Sequence, residues 1–252
     1  MGSALVSLLR AQGGDRVIVG AAAEPGCSAI GRDLGEVHGS APMGVVVQSD
    51  VASAVLGADV VIDFSHASAL VAVAKAAARQ GAVFISGTTG LGPEATAALD
   101  DAARSVPVLW APNFSIGIHV LAQAVRLAAQ QLGASFDVEL VEVHHHGKAD
   151  APSGTAMRLA REVQQARGEL APIHGRQGLI GPRKASEMAV LAVRGGDVVG
   201  DHTVHFLGPG ERLEFTHRAT SREMLARGAL LAASSLVGRK PGRYTLDEVF
   251  GA

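Results

Sequence analysis

The chain has 252 residues, which is enough for one large domain or two modest ones with a buried core. Its formal net charge is −2 at pH 7, so the charge balance predicts neither nucleic acid nor a membrane surface as a partner. The single cysteine, Cys27, excludes an intrachain disulfide and fits a reducing compartment. No apolar run approaches the roughly 18 residues that span a bilayer, and Met1–Arg10 lacks the basic flank of a secretion signal. We therefore expect a cytoplasmic protein.

The first half of the chain alternates short β-branched runs with alanine-rich helical patterns. Strands that alternate with helices of this length are typical of parallel βαβ units. We therefore predict an α/β fold whose first domain is a doubly wound, Rossmann-type parallel sheet. The predicted strands are Val17–Val19, Val60–Phe64, Val83–Ser86 and Val108–Trp110, and the predicted helices are Ser3–Arg10, Ala67–Arg79 and one that begins at Pro93.

The pattern changes after a predicted helix at Ile116–Leu132, because Asp137–Val143 alternates polar and apolar residues as a half-buried strand does. These features predict a second, α+β domain with a mixed or antiparallel sheet. We place a dinucleotide-binding domain at residues 1–114, completed by residues 220–252, and a substrate-binding domain at residues 115–219. The further predicted elements of the second domain are a hairpin of Met188–Val193 with Val198–Val199 and strands His202–Phe206 and Arg212–Arg218. A predicted helix at Arg222–Leu236 returns to pack on the first domain.

Three chemically distinctive segments follow predicted strands of the first domain, where ligands of open α/β sheets bind. Glu24 can accept a hydrogen bond from a ribose hydroxyl, and Gly87–Gly90 forms a turn where backbone can approach a flat ring or a phosphate. Asn113, within Ala111–Phe114, can hydrogen-bond an amide. The alternative is that these are ordinary loops, since glycine and threonine turns are common. Their recurrence at successive strand ends favours a nucleotide site.

A glycine-rich phosphate fingerprint is expected after the first strand of such a domain, and it is absent here. The chain begins with Met1 and Gly2 and enters a predicted helix directly. Glu24 lies 22 positions after Gly2, close to the usual spacing of about 20 residues between fingerprint and acidic residue. We therefore expect the first Rossmann strand to be missing and the true start to lie upstream. A cloning scar is the alternative interpretation of these first residues.

The most informative segment runs from Glu142 to Thr155 and carries His144, His145, His146 and Lys148, four side chains that can be cationic within five positions. Histidine titrates near neutrality and suits a general acid, while lysine supplies a fixed positive charge. One alternative is a zinc site, because the first and third histidines share a face of an extended strand. A solvated or structural histidine run is another. We favour an anion-binding site with proton transfer, without a metal.

A Ser-Gly-Thr sequence, Ser153–Thr155, follows these cations and can open a helix at Ala156–Ala166, whose apolar residues keep helical spacing. The free N–H groups of a helix start are ready ligands for a carboxylate. Histidines, a lysine and a helix N-terminus in one segment therefore indicate a small dicarboxylate as the ligand.

The segment from Glu142 to Thr155 resembles the corresponding motif of the 4-hydroxy-tetrahydrodipicolinate reductase (dihydrodipicolinate reductase) family of bacterial lysine and diaminopimelate synthesis. The resemblance runs from Met1 to near the C-terminus. It implies reduction of 4-hydroxy-tetrahydrodipicolinate, a cyclic dicarboxylate, to tetrahydrodipicolinate with NAD(P)H and loss of water. It also implies a homotetramer assembled through the second domain. The other segments that resemble this family are Gly87–Gly90, Ala111–Ser115, Val193–Thr203 and Gly210–His217.

The resemblance also implies roles for individual residues. His144 is the implied catalytic proton donor, and Lys148 is a second donor that also holds the substrate. The implied ligands of the substrate carboxylates are His145, Gly154 and Thr155. Glu24 is implied at the adenosine ribose, and the residues implied along the nicotinamide side are Gly87, Thr88, Thr89, Ala111, Pro112, Asn113 and Phe114.

The chain departs from the family pattern at its N-terminus, where the Gly-x-x-Gly-Arg part of the fingerprint is absent. Many members that accept NADPH carry arginine after the ribose-binding acid, whereas Pro25 follows Glu24 here. Glu24 also repels a 2′-phosphate, so we expect NADH to be preferred, with NADPH possible. Two alternatives remain open. The protein is a catalytically silent binding protein, or it is another two-domain nicotinamide dehydrogenase that acts on a dicarboxylate.

Overall fold

A computed structural model describes residues 1–168 and 170–251. The chain divides into two compact units, of which the first comprises Met1–Phe114 with the C-terminal residues from Leu225 onward. The second unit comprises Ser115–Met224. Within the described ranges, every helix is too short or too polar to cross a membrane.

The helices and the strands are each numbered in chain order. The helices are α1 Gly2–Gln12, α2 Leu34–Val37, α3 Val51–Ala54, α4 Ala67–Gln80, α5 Pro93–Ala102, α6 Ile116–Leu132, α7 Gly154–Arg167, α8 Glu223–Leu236 and α9 Leu246–Phe250. The strands are β1 Ala21–Ala22, β2 Val47–Gln48, β3 Val60–Asp63, β4 Val83–Ser86, β5 Pro107–Trp110, β6 Asp137–His144, β7 Ala171–Ile173, β8 Glu187–Arg194, β9 Gly200–Gly208, β10 Glu211–Ala219 and β11 Gly242–Tyr244.

All strand pairs of the first unit are parallel, in a four-stranded sheet of order β11-β5-β4-β3 and a two-stranded sheet of β1 and β2. Helices cover both faces of the larger sheet. Phe84 and Val108 pack in a core with α4 and α5, whereas Ile85 and Leu109 pack in a core with α8. Burial on both faces explains the continuous apolar runs of these strands. The predicted doubly wound, Rossmann-type α/β arrangement is confirmed.

The strand predicted at Val17–Val19 is wrong, because the strand in this region is the shorter β1. Val17 and Val19 are 79% and 51% exposed, and β1 begins only at Ala21. A β-branched run needs a partner strand to satisfy its backbone, and β1 meets β2 only through Ala21 and Ala22. The expected strand before Met1 concerns residues outside this chain and stays a prediction.

The second unit contains a five-stranded mixed sheet of order β10-β9-β6-β8-β7, as the change of pattern predicted. The predicted hairpin between β8 and β9 is wrong. Strand β6 lies between them, parallel to β8 and antiparallel to β9. The residues of β6 that alternate into the interior, such as Val138 and Leu140, are fully buried, which favours a central place in the sheet. The true hairpin joins β9 to β10 through Pro209 and Gly210.

One face of this mixed sheet is covered by α6 and α7. Leu140, Val190 and Phe206 of the sheet lie in one core with Val125 of α6 and Leu159 of α7. Because side chains of a strand alternate between faces, the inward face of β6 continues beyond Leu140 to Glu142 and His144. Two polar side chains are thereby placed at the end of an otherwise apolar interior.

Candidate active site

The histidine-lysine segment spans the end of β6, a loop and the start of α7. Ser153 caps α7, because its Oγ accepts a hydrogen bond from Ala156 N at 3.1 Å. Gly154 and Thr155 are the first two residues of that helix, and Gly154 is exposed, with open space around its Cα. The predicted helix opening is therefore formed at Ser153 to Thr155. Amide groups of a first helical turn point toward its N-terminal end, where an anion can be held.

Glu142 is fully buried and accepts four hydrogen bonds. Arg194 donates to both of its oxygens at 2.8 Å, His144 Nδ1 lies 2.5 Å from Oε2, and Ser153 N lies 3.0 Å from Oε1. Burial alone raises the pKa of Glu142, but the hydrogen bonds from Arg194, His144 and Ser153 outweigh it and lower that pKa. The site therefore holds a carboxylate, bound bidentately by a guanidinium.

His144 is buried and its two ring nitrogens have different surroundings. Because Nδ1 faces the Glu142 carboxylate, which only accepts hydrogen bonds, Nδ1 carries a proton. Nε2 lies on the side of Gly200, where an added Cβ would be 2.9 Å away. A carboxylate-supported imidazole with its second nitrogen available can donate or accept a proton there.

His202 and His217 lie on the neighbouring strands in register with Glu142 and with each other. The His202 ring meets the His144 ring edge-on, with centroids 5.1 Å apart, and its Nε2 lies 3.0 Å from Ser153 Oγ. Burial, and secondarily the nearby His144, lowers the pKa of His202 to about 4. Burial also lowers the pKa of His217, although Asp201 opposes this. Both rings are therefore neutral near pH 7.

Lys148 forms an ion pair with Asp150 in the loop, with Nζ 2.6 Å from Oδ1. The hydrogen bond from Lys148 lowers the pKa of Asp150. Arg194 Nη2 donates to the Asp150 carbonyl at 2.7 Å, so the guanidinium that holds Glu142 also holds this loop. His145 lies beside Arg222, with Nε2 3.4 Å from Nη2.

The zinc alternative requires ligands that converge on one point. His144 directs Nδ1 to Glu142, and His146 is exposed. Across residues 1–168 and 170–251, His, Cys, Asp and Glu side chains form no group of three or more that could hold a metal ion.

A second group of polar residues lies at the carboxyl ends of β3, β4 and β5 in the first unit. Asp63 is buried, and its Oδ2 accepts hydrogen bonds from Ser86 Oγ and Thr88 Oγ1, each at 2.8 Å. Its Oδ1 accepts from Ser65 N at 2.9 Å. Trp110 Nε1 donates to the Thr88 carbonyl at 2.8 Å. These bonds fix the loops that follow the three strands with respect to one another.

The predicted nicotinamide residues belong to these loops. A Cβ on Gly87 would lie 2.2 Å from Phe64 Cε1, so only glycine fits there. Phe114 is buried and meets the Phe64 ring edge-on at 5.9 Å. Ala111 N donates to the Ser86 carbonyl at 3.0 Å. The structure brings the two loops to one end of the larger sheet, where the exposed members of the predicted set are Thr89 and Pro112, and Asn113 is half-buried.

Glu24 does not belong to this group, since it follows β1 of the separate two-stranded sheet. Its side chain is exposed, and its carbonyl accepts a hydrogen bond from Cys27 N at 3.1 Å, which closes a turn. An exposed carboxylate at the carboxyl end of a parallel strand is available to a ligand hydroxyl.

The sequence analysis did not predict the residues that hydrogen-bond or contact the predicted site residues. Glu142 had a usable signal, because a residue two positions before His144 in a strand shares its face. Asp63 had one as well, as the polar end of an apolar strand. Arg194 and His202 lie in Val193–Thr203, a segment that resembles the family, but only the order of strands in the sheet brings them to the histidine-lysine segment.

The two halves of the chain match two family descriptions in turn. Residues 1–114 match "Dihydrodipicolinate reductase, N-terminus" and residues 117–250 match "Dihydrodipicolinate reductase, C-terminus". The 4-hydroxy-tetrahydrodipicolinate reductase of Anaeromyxobacter dehalogenans strain 2CP-1 is 48% identical over 254 residues, covering 100% of this chain and 94% of the relative. That of Myxococcus xanthus strain DK1622 is 46% identical over 255 residues, with the same coverage.

A solved structure supports the same fold. The dipicolinate-bound dihydrodipicolinate reductase from Paenisporosarcina sp. TG-14 superposes with a TM-score of 0.72 at 22% identity, covering 98% of this chain and 94% of that one. The family descriptions and the relatives at 48% and 46% identity confirm the family predicted from the motifs across nearly the whole chain. The chain belongs to the dihydrodipicolinate reductase family.

Proposed function

We propose that the protein reduces 4-hydroxy-tetrahydrodipicolinate to tetrahydrodipicolinate with NAD(P)H, in diaminopimelate and lysine synthesis. The relatives that carry this reaction in their names share up to 48% of their residues with the chain. The observation that carries the proposal is the 2.5 Å bond between His144 Nδ1 and the buried Glu142 carboxylate. The reaction adds a hydride and a proton and releases water, so it needs a proton donor of this kind.

Each residue of the segment has a proposed role. His144 donates the proton from Nε2, the nitrogen that Glu142 does not bind. Lys148 holds the substrate and acts as a second donor, after exchanging its ion pair with Asp150 for a substrate carboxylate. His145, Gly154 and Thr155 bind substrate carboxylate. The position of the last two at the N-terminus of α7 supports their role, because the helix dipole favours an anion there.

The first unit is proposed to hold the cofactor, whose nicotinamide supplies the hydride when it is bound. The loops at the carboxyl ends of β4 and β5 fit this group. Phe64 leaves no room for a side chain at position 87, and the glycine there lets the backbone approach a ring. Thr88 contributes only backbone, because its hydroxyl is bound to Asp63. The proposed nicotinamide residues are Gly87, Thr88, Thr89, Ala111, Pro112, Asn113 and Phe114.

Glu24 is proposed to bind the adenosine ribose and to favour NADH over NADPH. Its exposed carboxylate can accept a hydrogen bond from a 2′-hydroxyl and repels a 2′-phosphate. Pro25 follows it and offers no positive charge to offset that repulsion. NADPH remains a usable but poorer hydride donor.

The assembly is proposed to be a cytoplasmic homotetramer formed through the mixed sheet of the second unit. Strands β9 and β10 expose Leu207 and Leu213, which supports burial of this part of the sheet against another copy. We propose a small-molecule substrate and no nucleic-acid or membrane partner, in keeping with the net charge of −2.

Purified protein mixed with NADH and freshly generated substrate tests the function. We expect loss of reduced-nicotinamide absorbance at a rate proportional to enzyme concentration. No absorbance loss at any enzyme concentration would favour a silent binding protein. Competition by pyridine-2,6-dicarboxylate, a planar analogue, tests the other alternative, a nicotinamide dehydrogenase that acts on a different dicarboxylate. Such an enzyme should bind this analogue poorly.

A further inference from the structure

We propose that Glu142 and Arg194 are positioning residues for the proton donor. Glu142 sets which nitrogen of His144 carries the free proton, and Arg194 holds Glu142 and the Lys148 loop in one arrangement. The inference rests on the proposed function, in which His144 is the proton donor. It adds two residues, one of them on a different strand, to the machinery of that reaction.

The first step of the argument is the saturation of Glu142. Its Oε1 accepts from Ser153 N and Arg194 Nη2, and its Oε2 accepts from His144 Nδ1 and Arg194 Nη1. A carboxylate held on both oxygens cannot rotate or move without breaking charge-assisted bonds. His144 therefore meets a fixed acceptor at Nδ1, and the proton available for transfer is at Nε2.

The second step is the reach of Arg194. Besides Glu142, its guanidinium donates to the carbonyls of Val193 and Asp150, both at 2.7 Å. Asp150 carries the ion pair with Lys148. One side chain at the end of β8 thus connects the proton donor to the loop that bears the proposed substrate lysine. Loss of Arg194 would loosen both at once.

The third step concerns charge around the His144 ring. Glu142 on β6 and His202 on β9 contact the ring directly. The other titratable or charged groups around this pair are Arg194 on β8, His217 on β10, and Lys148 with Asp150 in the loop. Glu142 brings a negative charge and Arg194 a positive charge to this group of residues. Removal of either charge should therefore move the pH dependence of the reaction in opposite directions.

The kinetic test compares Glu142→Gln with Arg194→Met. In Glu142→Gln we expect kcat to fall about 10–100-fold, within the usual contribution of a general acid. The alkaline limb of the kcat/KM profile, where the acid loses its proton, should shift by about one unit to lower pH. In Arg194→Met the same limb should shift to higher pH, with a rise in the substrate KM as the Lys148 loop loosens.

The matched control is another carboxylate–guanidinium pair of the second unit. Arg176 Nη2 lies 2.9 Å from Glu187 Oε1 on β8, and neither residue belongs to the site. Glu187→Gln and Arg176→Met should leave the position of the alkaline limb unchanged. A shift in the same direction for Glu142→Gln and Arg194→Met, or shifts equal to those of the controls, would overturn the proposal.

A second readout does not depend on turnover. Nitrogen-15 NMR of the imidazole should show the Nδ1–H form of neutral His144 in the wild type and a larger Nε2–H fraction in Glu142→Gln. An unchanged tautomer would refute the positioning role even if the enzyme is active. A changed tautomer in a protein without turnover would support the positioning role while refuting the proposed function.

The double variant Glu142→Gln/Arg194→Met guards against misfolding of the single variants, because it leaves no unpaired buried charge. We expect a folded protein whose alkaline limb lies between those of the single variants and whose kcat remains low. Wild-type kcat together with the wild-type tautomer in the double variant would overturn the proposal.

Discussion

Gly200 lies directly against the imidazole of His144, because a Cβ built on Gly200 would be 2.9 Å from His144 Nε2. Gly200 begins β9 and His144 ends β6, so the two residues meet where these antiparallel strands part. Because Gly200 has no side chain, there is space beside Nε2, the ring nitrogen that Glu142 does not bind. The proposed proton-donating nitrogen is therefore bounded by glycine.

Replacing Gly200 with alanine should impair catalysis and also lower stability, because Gly200 has a φ of 159°, a backbone conformation that L side chains rarely adopt. The new methyl group must displace the His144 ring, and a displacement near 1 Å costs up to about 100-fold in rate. We expect kcat to fall by about 10–100-fold, with a folded protein by circular dichroism. Gly195→Ala is the control, since a Cβ there meets nothing within 4 Å. Equal activities of the two variants would show that ring placement does not limit the reaction.

His202 should make the protein less stable as the pH falls. Its pKa in the folded protein is about 4, below the ordinary value of 6.5, so the unfolded chain binds the proton more readily. The unfolding free energy should therefore decrease as pH falls from 6.5 toward 4, by about 2 kcal/mol between pH 7 and pH 5. Urea denaturation of His202→Gln should lack this part of the slope. A wild-type slope in the variant would exclude His202 as its source.

The two threonines of the loop after β4 should respond differently to the same substitution. Thr88 is buried and donates to Asp63, whereas Thr89 is exposed. Thr88→Val removes one donor from a buried carboxylate, so we expect a loss of about 1–3 kcal/mol in unfolding free energy. Thr89→Val should change that free energy by less than about 0.5 kcal/mol. Similar losses in both variants, measured in urea, would contradict the assigned role of the Asp63 bond.

Cofactor preference should depend on the charge of Glu24. The wild type should have a higher kcat/KM with NADH than with NADPH. Glu24→Gln should raise the NADPH-to-NADH ratio of kcat/KM by about 5–10-fold, which corresponds to removing about 1 kcal/mol of repulsion. Glu211→Gln, which removes an exposed carboxylate of the second unit, serves as the control. A lower KM for NADPH than for NADH in the wild type would contradict this prediction.

Local elements were predictable because local interactions form them. The bounds of α6 and β4 agree with the sequence prediction. For α6 the reason is visible, since Ser115 caps its first turn and glycine ends it. The Val17–Val19 prediction was wrong because β-branched residues indicate a strand only where another strand is available to pair with them.

The sequence by itself determined the alternation of parallel βαβ units, the family and the segment from His144 to Thr155, since all of these depend on short spacings. Only the tertiary structure determined which distant residues hydrogen-bond to that segment and to Glu142 beside it. Arg194 lies 52 residues from Glu142 along the chain, and His202 lies 49 residues from Ser153. They meet because β6 lies between β8 and β9 and is hydrogen-bonded to both strands. A hairpin pattern is local, whereas strand order follows from the packing of the whole sheet.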